Sequence, residues 1–244
     1  MPDPAGNWTG METFLRGITA TLPGRPKAIL VVSGHWETQG FAFTGAARPP
    51  MIFDYHGFPP HTYALRYDAP GDPALAARAA ELLRARGLEA AVDPVRGFDH
   101  GVFVPLKVAF PDADIPVVVM SVDRDLAPAL HRAAGAAIAS LRDEGVLIIG
   151  SGMSFHNMRG YGDARFTEPS AQFDRWLTTA VEAVPDARAA ALDAWAEAPA
   201  GRLSHPREEH LIPLMVAAGA SDAPGTRIYG ETVLKTAISG YSFA

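Results

Sequence analysis

The feature that most limits how this chain can fold is an alternation of short β-branched runs with longer Ala- and Leu-rich segments. Ala28–Ser33 (AILVVS), Ile115–Val122 (IPVVVMSV) and Val146–Gly150 (VLIIG) are near-continuous apolar runs. That is the pattern of strands covered on both faces, with Pro116 placing the start of the second near an edge or a loop. Pro73–Arg86 carries a proline in its first turn and is followed by Gly87, and Leu126–Glu144 is closed by Gly145, so both read as helices. Ser170–Ala183 and Asp186–Ala198, separated by Pro185, read as further helices. Glu208–Ala218 reads as another, with acidic residues where the helix dipole favours them. Arg227–Tyr229 and Thr232–Phe243 are expected to close the chain as a hairpin around Gly230-Glu231. Strands buried on both faces need helices above and below. The expectation is therefore an α/β sandwich with a mostly parallel or mixed central sheet and helices on both faces.

Of 244 residues, 48% are apolar and 20% charged, enough to fill a sizeable core. No internal repeat and no Ser- or Gly-rich linker interrupts the pattern, so one domain over residues 1–244 is expected. The net charge of −6 lacks the basic footprint that a nucleic-acid partner requires. There is no cysteine, which excludes disulfides, thiolate catalysis and Cys-ligated zinc, and leaves His, Asp and Glu as the strong metal ligands. No apolar run is long enough to span a bilayer, and the start of the chain has no secretory signal pattern, so a cytoplasmic protein is expected. The stretch from Ala47 to Gly71 is rich in Pro and Gly, yet too aromatic for a linker (Phe53, Tyr55, Phe58, Tyr63, Tyr67). Long loops of that composition are more often functional than idle.

The eight histidines hold most of the chemistry. His35 follows the first strand in Ser-Gly-His-Trp-Glu, and His156 follows the third in Gly-Ser-Gly-Met-Ser-Phe-His-Asn. His100 lies in Phe-Asp-His-Gly, and His210 at a helix start in Arg-Glu-Glu-His. A single histidine is more often structural than not. His131, beside Arg132, is expected to be solvated, and His205, ahead of Pro206, to shape a loop. Several histidines at strand ends and loop edges instead suggest a metal site with acid–base support. Neither the Gly-x-Ser-x-Gly elbow nor a Gly-rich phosphate loop is present.

Six segments in order carry a resemblance: Ser33-Gly-His-Trp36, Asp54-Tyr-His-Gly-Phe-Pro59, Tyr67-Asp-Ala-Pro-Gly71, Gly97-Phe-Asp-His-Gly101, Ser151–Asn157 and Glu209-His-Leu-Ile-Pro-Leu214. From about Lys27 onward the chain resembles the class III extradiol ring-cleavage dioxygenases, in the branch typified by 4,5-DOPA dioxygenase. The resemblance implies a non-haem metal, Fe(II) for catalysis with Zn(II) an alternative in the isolated protein, held by His35 and His210. It implies acid–base and substrate roles for His100 and His156. The substrates it implies are a small catechol and O2, with a muconic semialdehyde as product. Tyr63 and Arg66 are expected as specificity contacts, and Glu208 or Glu209 as a carboxylate near the metal. A homo-oligomer stays open.

The chain departs from the family pattern in one respect. No Gly-His-Gly-Ser/Ala-Pro turn precedes Asn7, and the first strand that would carry it is absent from the sequence. Either the sequence is a shortened version of a longer protein, which is the preferred reading, or another group completes the metal shell. His56 is the candidate for that group. A zinc-dependent hydrolase and a non-catalytic binding protein on the same scaffold are the alternatives of other classes.

Overall fold

A computed structural model describes residues 6–244. In chain order the elements are α1 (Thr9–Gly17), β1 (Ala28–Thr38), β2 (Phe41–Thr44), α2 (Pro73–Ala85), β3 (Ala90–Asp93), α3 (His100–Ala109), β4 (Val117–Asp123) and α4 (Pro128–Ile138). They continue with β5 (Val146–Ser151), α5 (Thr167–Val181), α6 (Pro185–Asp193), α7 (Gly201–Ser204), α8 (Ile212–Gly219), β6 (Gly225–Val233) and β7 (Thr236–Phe243). The five-stranded sheet runs β3-β2-β4-β1-β5, and β6 and β7 form a separate two-stranded sheet. β1 pairs in parallel with both β4 and β5, and β2 with β3, while β2 meets β4 antiparallel at Phe43 and Met120. The sheet is therefore mixed, as expected.

The two-residue period of a strand explains the two cores. Ala28, Leu30 and Val32 of β1, with Val118, Met120 and Val122 of β4, point to one side, packing with residues of α2, α4, α5 and α8. Ile29, Val31, Val117 and Val119 point to the other, beneath α3, Trp36 and Tyr67. A fully buried Val, Ile or Phe contributes about 1.5–3 kcal/mol. This double-sided burial anchors β1 and β4, and the carboxyl ends of β1 and its parallel neighbour β5 become the rigid edge from which the site is built.

Several sequence expectations need correction. β1 extends beyond Ser33 to Thr38, with a register shift against β4 between Ser33 and Glu37, so His35 stands on the strand itself. α3 and the short β2 and β3 carry too little periodicity to be read: α3 is apolar around most of its circumference and contains Pro105. α8 starts at Ile212, because Pro213 sits in its first turn and residues 208–211 form a preceding turn. The hairpin turns at Leu234-Lys235, not at Gly230-Glu231. Both turn residues adopt positive φ (46° and 66°), which glycine or asparagine normally signals and this sequence does not. His131 is fully buried on α4, not solvated. Its Nε2 accepts the Asp123 backbone N–H (3.0 Å) and its Nδ1 lies 2.8 Å from the Ala127 carbonyl, so backbone partners replace water.

Candidate functional site

Four histidines from four parts of the chain converge at the carboxyl edge of the sheet. β1 delivers His35, the first residue of α3 is His100, the segment after β5 carries His156, and the turn before α8 carries His210. The backbone must approach closely for this to happen. A Cβ on Gly34 would lie 2.4 Å from the Glu209 carbonyl, and one on Gly152 would lie 2.0 Å from that of His210. These two glycines let the Glu209-His210 turn press against the ends of β1 and β5, where the Met153 N–H donates to the His210 carbonyl (2.9 Å).

The site consists of two similar halves. In one, Asp54 Oδ1 accepts both the Nδ1 and the backbone N–H of His100 (2.8 and 2.9 Å), and Asp54 Oδ2 lies 3.4 Å from His35 Nδ1. In the other, Glu209 Oε1 lies 2.9 Å from His210 Nδ1 and 3.5 Å from His156 Nδ1. Each carboxylate thus spans two histidines. The His35 ring sits against that of His100 with centroids 4.0 Å apart, and the His156 ring stacks on His210 at 3.5 Å. The halves meet where His35 Nε2 faces His210 Nε2 at 3.2 Å.

Burial, then the neighbouring His100 and His210, push His35 down to about 4. Burial also lowers His210, with Glu209 opposing it. For Asp54, burial works upward but the hydrogen bonds from His100 outweigh it, holding the carboxyl at about 2. Glu209 is held well below the usual carboxylate range in the same manner, its burial outweighed by His156 and His210. The result is two ionised carboxylates behind two neutral imidazoles.

This donor set fits a divalent metal. With Nδ1 of His35 and His210 each turned to a carboxylate, both Nε2 lone pairs are aimed at one another, an arrangement that a shared cation relieves. Imidazole nitrogens about 2.1 Å from one metal, at tetrahedral to octahedral angles, are roughly 3.0–3.4 Å apart, and the observed 3.2 Å falls in that range. A carboxylate behind each ligating histidine is the usual arrangement around such ions. Glu209 Oε2, on the Nδ1 side of His210, lies 3.6 Å from an Arg207 guanidinium nitrogen, so the carboxylate orients the ring and Arg207 steadies the carboxylate. Imidazole with carboxylate suits Fe(II) and Zn(II) alike.

The structure brings together four of the residues anticipated from the sequence: His35, His100, His156 and His210. It does not bring His56 to them. The chain turns at Gly57 (φ 77°), His56 is exposed, and it belongs to neither cluster among the described residues. Asp54, two residues earlier, is what this loop supplies, and sequence reasoning assigned it no role. Its signal was its place at the head of the Asp54–Pro59 segment. Tyr63 belongs to an aromatic group with Phe53 and Tyr55, and Tyr55 sits edge-on to His100 at 5.6 Å. Tyr63 is thus connected to His100 through the Tyr55 ring. Arg66 is exposed, and its carbonyl accepts from Lys107 Nζ (2.8 Å). Glu208 is paired with Arg202, which leaves Glu209 as the carboxylate of the site. Arg207 grips Glu37 of β1 with two bonds of 2.5 and 2.6 Å, tying the strand that bears His35 to the turn that bears His210. Among the described residues no helix is long and apolar enough to cross a membrane.

The chain is similar to several known proteins. The chain is 43% identical to a dioxygenase, tasH, of Hapsidospora irregularis over 81% of its own length and 65% of that protein's. It is 41% identical to the 4,5-DOPA dioxygenase extradiol of Beta vulgaris, over 81% of this chain and 74% of the relative. The corresponding Escherichia coli protein is 39% identical, over 83% and 75%. In three dimensions the chain superposes on a crystal structure of an uncharacterized Escherichia coli K12 protein, JW3007, with a TM-score of 0.78. That match has 31% identity and covers 96% of this chain and 92% of the other. Residues 5–242 match the sequence model of the catalytic LigB subunit of aromatic ring-opening dioxygenase, and the chain belongs to that family.

Proposed function

We propose that residues 1–244 act as one extradiol dioxygenase-like catalytic domain, which opens the ring of a small catechol with O2 to give a semialdehyde. The relatives named as 4,5-DOPA dioxygenases support a DOPA-like substrate. The observation that carries the reading is the pair of facing Nε2 atoms of His35 and His210, each imidazole backed by an ionised carboxylate. These two histidines hold the metal. Fe(II) is the metal proposed; held by these histidines it would supply the activation of catechol and O2 that ring opening requires.

The chain's own residues do the rest. Asp54 and Glu209 orient the metal-holding rings through Nδ1. His100 and His156 flank them with Nδ1 turned to the same carboxylates, which leaves Nε2 of each as the end that exchanges protons. One accepts the hydroxyl proton of the bound catechol and the other returns a proton to oxygen, the task for which imidazole is suited near neutral pH. Phe53, Tyr55 and Tyr63 form an apolar wall beside His100 that receives the ring and excludes water from it. The test is anaerobic Fe(II) loading followed by oxygen uptake on DOPA, caffeate and protocatechuate. Uptake with a yellow product is expected. A chain that holds iron but consumes no oxygen with any catechol would overturn the reading.

A further inference from the structure

The segment that carries His156 is fastened from outside the site. Its residues are tied in reverse order to the end of α7. The His156 N–H donates to the Ser204 carbonyl (3.0 Å), and Asn157 Nδ2 to the Leu203 carbonyl (2.8 Å). His205 Nε2 lies 3.0 Å from the Ser154 carbonyl. A carbonyl only accepts, so Nε2 carries the proton and donates it. His205 is fully buried, its ring edge-on to Trp195 and packed against Phe173 of α5. On the other side, Ser154 Oγ accepts the Ser239 N–H of β7 (2.8 Å), and Ser239 Oγ donates to the buried Asp174 (2.5 Å). Ser154 is thus fixed from two directions, two residues before a ring that must lie flat on His210 at 3.5 Å.

We infer that His205 is a positioning residue. Its Nε2–H holds the Ser154 carbonyl, so that the segment sets the His156 imidazole over His210 and beside Glu209. His205 touches neither metal-holding histidine by any hydrogen bond, and its effect passes through the backbone. The inference rests on the ring-cleavage reading for its kinetic test, and on geometry alone for its second test. A leucine at 205 fills much of the volume but offers no donor, leaving the Ser154 carbonyl unsatisfied in a buried place. A glutamine places an amide N–H near the position of Nε2 and restores the bond.

In the Fe(II)-loaded chain, His205→Leu is expected to lower kcat by roughly ten- to a hundredfold, the cost of misplacing a reacting group by about an ångström. KM and metal stoichiometry should stay unchanged, and His205→Gln should recover most of kcat. A leucine variant with full kcat would overturn the inference, as would a folded, metal-replete glutamine variant no better than leucine. If His205→Leu does not fold, Asn157→Ala removes the next fastening of the same segment and carries the same expectation. Amide hydrogen exchange at His156 reads the geometry without turnover. Faster exchange in the leucine variant but not in the glutamine variant supports the inference, and equal protection in all three overturns it. An unaltered chain that turns over no catechol would defeat the proposed function, and the exchange result would still decide the role of His205.

Discussion

Two sets of buried or half-buried histidines occupy this molecule, and burial does not distinguish them. At the edge of the sheet, burial lowers His35 and His210; beneath α4 and α7, burial likewise lowers His131 and His205. What differs is the company of their nitrogens. His131 has both satisfied by backbone groups, and His205 uses Nε2 on a backbone carbonyl. His35 and His210 turn Nδ1 to a carboxylate and Nε2 to each other. A histidine bonded to backbone holds the fold together, whereas one backed by a carboxylate, with its other nitrogen aimed at a second imidazole, is prepared for a cation.

The sharpest way to break this comparison is to remove one member of each set. His35→Ala or His210→Ala should abolish stoichiometric Fe(II) binding, measured by metal analysis after anaerobic loading and desalting, while the chain stays folded. His131→Ala should do the reverse, keeping metal in the folded fraction while losing stability by roughly 2–4 kcal/mol in urea, since a buried ring and two hydrogen bonds go together. Metal loss in the His131 variant at full stability would erase the distinction.

A smaller effect is expected from the carboxylates. Asp54→Asn and Glu209→Gln keep size and some hydrogen bonding but lose the charge that orients each ring. Chelator competition should show metal affinity weakened about 10–100-fold by either change.

In the metal-free chain acid should act on both sets alike, because burial lowers His131 and His205 as it lowers His35 and His210. His131 and His205 take up protons in the unfolded chain near pH 6.5, but in the folded chain only further down, at about 4 for His205. The unfolded state therefore binds more protons as the pH falls below about 6.5, and stability is lost through that window, by up to about 1.4 kcal/mol per pH unit for each such group. Urea unfolding between pH 7 and 5 measures it, and His131→Ala should flatten the slope. The smallest effect is expected at His56, where His56→Ala should shift neither metal content nor stability beyond about 0.5 kcal/mol, because the side chain is exposed.

Much of the frame is legible from local pattern. Val31 and Val119 belong to apolar runs that only a doubly covered strand explains, and the helices announce themselves through Pro73, Gly87 and Gly145. His35, His100, His156 and His210 stand out because each sits in a glycine-marked segment or at the start of a helix. Other features leave little local trace. Phe41–Thr44 and Ala90–Asp93 are too short for a period to show, and Leu234-Lys235 turns the hairpin without a turn residue.

By itself the sequence determined the alternating α/β frame, the central strands and the histidines competent to bind metal, because hydrophobic period and side-chain chemistry are local properties. Tertiary structure alone decided the partners. Asp54 reaches His100 across 46 positions and Ser154 reaches Ser239 across 85, and the preference of His131 for backbone over water depends on how α4 lies against β4. Such pairings follow from where the packed core leaves each backbone. Hydrogen bonding and charge are settled by distance in space, and distance along the chain does not encode it.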